Sequence, residues 1–393
     1  MARSATSIVE PRILRWARTS AGLSVEDTAS RIPTKAENVE AWEKGVHSPS
    51  MAQLRKLATV YERMLSDFYL PDVPEEGPLP HDFRRLPGEV ALNYSRALRH
   101  QLRSAKERRD LTVDLAEELD SELPRFEGSI QYNSDPETTG LKLRRHLGVS
   151  IDEQRSWRDS RVGYNNWRAA IERIGILVFQ IVGVPTAEML GFSLGARPLP
   201  VIGVNRKLRP NGRTFTLLHE GVHVYLGESS ICDIEENVLR PPEEQKIEIF
   251  CNAVAAATLV PFDSLLSEPV VLSHPNNRLD WTDEELAALS RAYSVSQEVI
   301  LRRLLTAGRT SPEFYRSRRA VWGSLMHDVT PPDAETEIKR NMPQEVMSDL
   351  GKPFTRLVVS SYENEFTSLS DVSRYLGLRP EKVAKLQDLL MRG

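Results

Sequence analysis

The chain is poor in cysteine and histidine and has no long apolar run. Cys232 and Cys251 are the only cysteines in 393 residues, too few for a disulfide framework, and their spacing matches no zinc-finger or zinc-ribbon pattern. They read as small buried residues, with soft metal ligation as the lesser alternative. No stretch approaches the roughly 20 apolar residues that a membrane helix requires. The longest candidate, Ala253 to Val260, is followed by Pro261. The opening residues MARSATSIVEPRILRW lack the apolar run of a signal peptide, which predicts a reducing, cytoplasmic setting without a membrane partner. An excess of one charge is also missing. With a formal net charge of -4 and a pI near 6.1, the chain has no overall electrostatic grip on nucleic acid, so any DNA contact must be local.

A chain of this length exceeds what one hydrophobic core usually organises. We expect an α+β protein, mostly helical, in several parts. Residues 1–70 read as short helices: Pro11 opens one, Ser24 with Asp27 makes a capping box, Gly45 closes a third and Ser50 caps a fourth. Residues 71–90 are dense in proline and form a linker in which neither a helix nor a central strand can persist. Residues 91–150 hold connecting helices with no recognisable chemistry. Residues 151–275 are different. A helix ending at Gly175 precedes ILVFQIV, MLGFSL and PVIGVN, short β-rich runs separated by Pro and Gly, and then come helices over Thr214–Leu226 and Pro242–Leu259. Residues 276–393 return to pairs of short helices.

The chemistry concentrates on the last two helices of the 151–275 segment. In FTLLHEGVHVYLG, His219 and His223 lie four apart, so both imidazoles project from one helix face and can reach one metal ion. Glu220, between them, is placed to take a proton from water activated by that metal. A hydrolytic zinc site needs a third protein ligand and an open position, and PPEEQKIEIFCNAVAAATLVP offers Glu248 on a helix rich in small residues. Glu244 is a weaker rival. Each histidine alone would more often be an ordinary helix residue; the full set is what points to zinc. Tyr225 and Arg213 are near in sequence, but read as packing and as a structural ion pair.

From Trp167 to Pro261 the order WRAAIERIGILVF, PVIGVN, RTFTLLHEGVHVYL and EIFCNAVAAATLVP resembles the ImmA/IrrE family of zinc peptidases. The resemblance implies a zincin-like domain with zinc on His219, His223 and Glu248 and with Glu220 catalytic. Cys251 departs from the alanine usual before the asparagine of the third-ligand helix. Longer members of the family resemble the chain almost end to end, including a proline linker ending in Asp82-Phe83-Arg84. They imply a site-specific endopeptidase that cleaves a protein partner, such as a DNA-binding repressor or an antitoxin.

The segment GLSVEDTASRIPTKAENVEAWEKGVHSPSMAQLRKLATVY resembles an Xre/Cro-type helix-turn-helix, its second helix running from near Lys35 to near Gly45. Such a helix would present Lys35, Ala36, Glu37, Asn38 and Glu40 to the major groove. Two of these five are acidic, and carboxylates repel phosphate. Either residues 1–70 bind DNA through Lys35 and Asn38, with Lys44 at the backbone and the chain acting as a homodimer, or they dock protein. The rival to the peptidase reading is a transcriptional regulator or toxin whose zincin fold acts as a sensor or partner-binding module.

Overall fold

Pro and Gly punctuate the chain into short helices, and its few β-rich runs converge on one small sheet. The computed structural model describes residues 9–74, 81–82, 94–157, 159–227, 229–232, 242–275, 278–327 and 342–392. They divide into two units. One comprises residues up to 79 together with 88–104; the other comprises 80–87 and everything from Ala105 onward.

In the first unit, helices α1 (Pro11–Ser20), α2 (Val25–Arg31), α3 (Ala36–Glu43) and α4 (Met51–Tyr61) pack around Ile13, Leu14, Trp42, Leu54, Leu57 and Phe68. Capping boxes at Ser24/Asp27 and Ser50/Gln53 start α2 and α4. They satisfy backbone N–H groups that a helix start leaves unpaired. Arg18 donates two hydrogen bonds to the Glu43 carboxylate, at 2.6 and 2.9 Å, and a third to the Leu23 carbonyl. This nearly buried pair fixes α3 against α1. The boundary between the units falls at Ser104, inside α5 (Arg96–Glu118).

The second unit is built on a five-stranded sheet, β1 (His81–Asp82), β2 (Leu177–Ile181), β3 (Gly191–Leu194), β4 (Val201–Asn205) and β5 (Ser230–Cys232), in spatial order β1-β5-β3-β4-β2. β2 and β4 pair in parallel, β3 runs antiparallel to both β4 and β5, and β1 pairs in parallel with β5. Three of these strands coincide with the expected β-rich runs. The other two are only two and three residues long, and β1 lies within the expected linker as an edge strand, where proline nearby does no harm to a ladder. Of residues 71–90, only 71–74 and 81–82 are described, so Phe83 and Arg84 lie outside the described residues.

Helices α6 (Pro136–Leu147), α7 (Ile151–Ser156), α8 (Ser160–Arg173), α9 (Pro210–Leu226) and α10 (Pro242–Leu259) surround the sheet. Short helices α11 (Phe262–Leu266) and α12 (Pro269–Ser273) follow. Then come α13 (Asp283–Tyr293), α14 (Gln297–Thr306), α15 (Pro312–His327), α16 (Met342–Leu350), α17 (Lys352–Glu363), α18 (Leu369–Leu376) and α19 (Val383–Arg392). α9 lies over β3 and β4, with Leu218 and Val222 joining Val178, Ile202 and Val204 in the core. Gly191 permits this approach: a Cβ there would stand 2.5 Å from Thr216 and 3.0 Å from Glu220. α16 covers β2, where Gln180 donates to the Ser348 carbonyl at 3.0 Å. Both faces of β2 are therefore buried, which explains its mostly apolar run, with Gln180 as the one polar residue.

Candidate metal centre

α9 begins at Pro210, whose missing N–H costs nothing at a first helical position, and ends at Gly227 in the left-handed conformation. Between these stops the i, i+4 spacing places His219 and His223 on one face, their ring centroids 5.0 Å apart. Phe215, one turn earlier, lies beside the His219 ring.

The third residue comes from α10. Glu248 is 5% exposed, His219 5% and His223 0%, so three polar groups share a nearly dry space. The His219 Nε2 atom is 3.4 Å from Glu248 Oε2, and His223 Nε2 is 3.0 Å from Glu248 Oε1. Burial alone would push the Glu248 carboxyl up. The facing His219 and His223 imidazoles outweigh it and hold Glu248 well below the ordinary carboxylate range.

These residues fit a zinc ion. A tetrahedron with arms of about 2.0–2.1 Å has edges of about 3.3–3.4 Å, which the separation of 3.4 Å between His219 Nε2 and Glu248 Oε2 matches. The three side chains offer donors that all lie within 4.8 Å of one another, and they are the one such cluster among the described residues. Glu244 is not in it. The donor set is two imidazoles and a carboxylate, hard enough to disfavour copper(I) and typical of hydrolytic zinc.

Glu220 is fully buried on the same helix. Its Oε2 accepts a hydrogen bond from the Ser230 hydroxyl at 2.7 Å, and Ser230 Oγ is 2.8 Å from Ser193 Oγ. Ser193 and Ser230 are register partners across β3 and β5. Because the single Ser230 proton goes to the carboxylate, the Ser193 hydroxyl must donate to Ser230, while Ser193 Oγ accepts from the Ser230 N–H at 3.2 Å. The sequence reading missed both serines. They sit in short strands with no motif, and only the register reveals them.

The position of α10 depends on partners equally silent in sequence. Gly140 of α6 lets the helices touch, since a Cβ would fall 2.6 Å from Ala257 Cβ and 2.8 Å from the Thr258 nitrogen. Past Ala257, carbonyls at the end of α10 lack helical partners. Arg144 donates to the Thr258 carbonyl at 2.9 Å, Gln154 to Leu259 at 3.1 Å and Arg303 to Val260 at 2.7 Å. Burial lowers the Arg144 guanidinium to about 10, leaving it charged at neutral pH.

Other expected residues are engaged elsewhere. Tyr225 bonds His146 Nδ1 at 2.5 Å through its hydroxyl and stacks edge-on with Phe126. Arg213 donates to Gln180 at 2.9 Å and lies over the Tyr164 ring. Cys251 is buried against His223, and burial raises its thiol above the ordinary value; the Cys232 side chain is outside the described residues. Lys35 is the N-cap residue of α3, Asn38 donates to Thr34 at 3.1 Å, and Lys44 pairs with Glu40 at 2.7 Å.

Residues 171–305 match the family model for the IrrE N-terminal-like domain, a peptidase family. The match covers about a third of the chain, includes His219, Glu220, His223 and Glu248, and runs past Pro261, where the sequence resemblance stops. It supports an ImmA/IrrE relationship for this segment and points to a zincin-like metallopeptidase domain. No curated protein and no solved structure matches the chain. Among the described residues, no helix is long and apolar enough to cross a membrane.

Proposed function

We propose that the chain is a zinc-dependent endopeptidase that cleaves a protein partner, such as a DNA-binding repressor or an antitoxin, in a regulatory setting. The observation that carries this reading is the convergence of His219 and His223 of α9 with Glu248 of α10, together with the buried carboxylate of Glu220 on α9. His219 and His223 would hold zinc through Nε2 and Glu248 through a carboxylate oxygen. Zinc, when bound, supplies a Lewis acid that polarises a peptide carbonyl and brings the pKa of water from about 15.7 to near 7.

The remaining work falls to the protein. Glu220 takes the proton of the attacking water and returns it to the leaving amine, a general base becoming a general acid. Ser230 holds Oε2, so the carboxylate keeps one orientation. Glu248 remains ionised through the neutral range, as a ligand must. The buried surroundings exclude competing water and strengthen each of these interactions.

Within the first unit, the Glu40–Lys44 pair and the additional carboxylate of Glu37 on α3 favour a protein-docking role over DNA reading by Lys35, Asn38 and Lys44. Gel-shift assays on the neighbouring promoter separate the two. The peptidase reading is tested by metal analysis and by co-expression with small repressor-like or antitoxin-like proteins encoded beside the gene. We expect about one zinc per chain, lost in His219→Ala and Glu248→Ala. Glu220→Gln should keep zinc and lose cleavage by at least a hundredfold. Cleavage by Glu220→Gln at the wild-type rate would refute the mechanism. A wild-type protein that takes up no zinc would favour the regulator.

A further inference from the structure

Away from the metal centre, the second unit contains a groove of about 760 Å³ bounded by the end of α5, the end of α8, the start of β2 and the first turns of α17. That volume lies within the roughly 300–1,000 Å³ usual for small-molecule sites. The floor is apolar. Ile176, Leu177 and Leu199 are buried there, and Leu119, Leu123 and Leu357 are half-buried around them.

The rim is cationic. Arg173, Lys352 and Arg356 line it and are exposed. Among the described residues the Arg173 and Arg356 side chains have no hydrogen-bond or ion-pair partner. Two carboxylates also line the groove, but Glu172 is committed to Arg168 at 2.8 Å in a nearly buried pair. Glu172 also lies within the electrostatic reach of Lys352, and Glu122, which is exposed, is the other carboxylate among the described lining residues. The start of α17 adds positive potential, because its N-cap is Gly351, which offers no side-chain oxygen. Gly351 has φ +83°, and a Cβ there would lie 2.8 Å from both Arg168 and Glu172. The first turn of α17 is thus seated on the buried pair, which fixes the backbone from which Lys352 and Arg356 reach the groove.

We propose that this groove binds an aliphatic anion, its hydrocarbon body on the leucine and isoleucine floor and its carboxylate or phosphate head at Arg173, Lys352 and Arg356. An aliphatic body fits better than a polypeptide, whose backbone would demand hydrogen-bond partners along its length. The lining has few to give: Thr112, for example, already donates to the Arg108 carbonyl at 2.6 Å within its own helix. The site is independent of the peptidase reading.

Calorimetric titration of the full chain with decanoate, decyl phosphate and decanol, each below its aggregation concentration, tests the proposal. Decanoate or decyl phosphate should bind at least tenfold more tightly than decanol, and the better of the two identifies the head group. Shortening the chain should weaken binding by up to about fourfold per methylene. Arg173→Glu with Arg356→Glu should weaken the anion at least tenfold without changing decanol binding or thermal unfolding, since both residues are exposed. Absence of binding by all three probes, equal binding of decanol and decanoate, or anion binding unchanged in the double variant would overturn it.

Discussion

Replacing Ser230 by alanine isolates the hydrogen bond that orients Glu220. The serine hydroxyl donates at 2.7 Å to a carboxylate with no solvent exposure, so the variant leaves a buried oxygen without that donor and the Ser193 proton without its acceptor. A hydrogen bond to a charged group contributes about 1.5–3 kcal/mol. For a unit of this size each kcal/mol moves the melting temperature by about 2–4 °C, so the metal-free transition should fall by about 3–12 °C. Differential scanning calorimetry measures it, with the transition of the second unit followed separately from the first. The decisive comparison is a double-mutant cycle with Glu220→Ala. Where the carboxylate is already gone, Ser230→Ala should cost clearly less, because only the Ser193 hydroxyl then loses a partner. An equal fall in both backgrounds would mean that Ser230 acts through Ser193 or by packing and not through Glu220, and the proposed orientation of Glu220 would be wrong.

Three further outcomes follow from the same geometry. Gly191→Ala should destabilise by about 1–3 kcal/mol through overpacking, since its Cβ would meet Thr216 at 2.5 Å; chemical denaturation checks this, and a neutral variant would show that α9 can lift from the sheet at no cost. In metal-free protein, the Glu248 carboxyl titrates well below its ordinary 4.5. A depressed carboxylate contributes stability that is complete above the unfolded value and lost as pH falls through the folded one. The denaturation midpoint should therefore drop more steeply below about pH 4.5 in wild type than in Glu248→Gln, and parallel profiles would contradict the assignment. Arg144→Ala removes the donor to Thr258 and to Gln154 and should cost about 3 kcal/mol. It should also weaken zinc uptake measured by competition with a chromogenic chelator, whereas unchanged uptake would show that the α10 terminus does not govern Glu248.

The elements that were legible in sequence are those whose signals are local. Leu218 and Val222 recur at helical spacing, Gly227 and Pro261 stop the two long helices of the site, and the short β-rich runs ILVFQIV, MLGFSL and PVIGVN give β2, β3 and β4. His219 and His223 could be paired from spacing because a helix fixes where i and i+4 point. The pieces that escaped have no local signal. β1 and β5 are too short to show an alternation, and Ser193 and Ser230 become partners only through a register 37 residues apart in sequence. Likewise, nothing in the α6 sequence announces that Arg144 will reach a carbonyl 114 residues away.

That last contact bears on how the metal centre is supported. His219 and His223 share one helix, and their relative geometry follows from helical pitch alone. Glu248 has no such guarantee, since it approaches from a different helix whose start follows residues outside the described ones. Its placement rests on Gly140, Arg144 and Gln154, together with Glu137, which pairs with Arg303 at 2.5 Å and accepts the Phe262 N–H at 2.7 Å. Four of these residues, Glu137 to Gln154, precede residue 171 and so lie outside the segment that matches the peptidase family. The residues that would bind metal and most of those that hold α10 in place therefore belong to different stretches of sequence. A rigid site needs both, so α6, which looked like a mere connector, and α7, at the start of the 151–275 segment, are structural supports of the candidate metal centre.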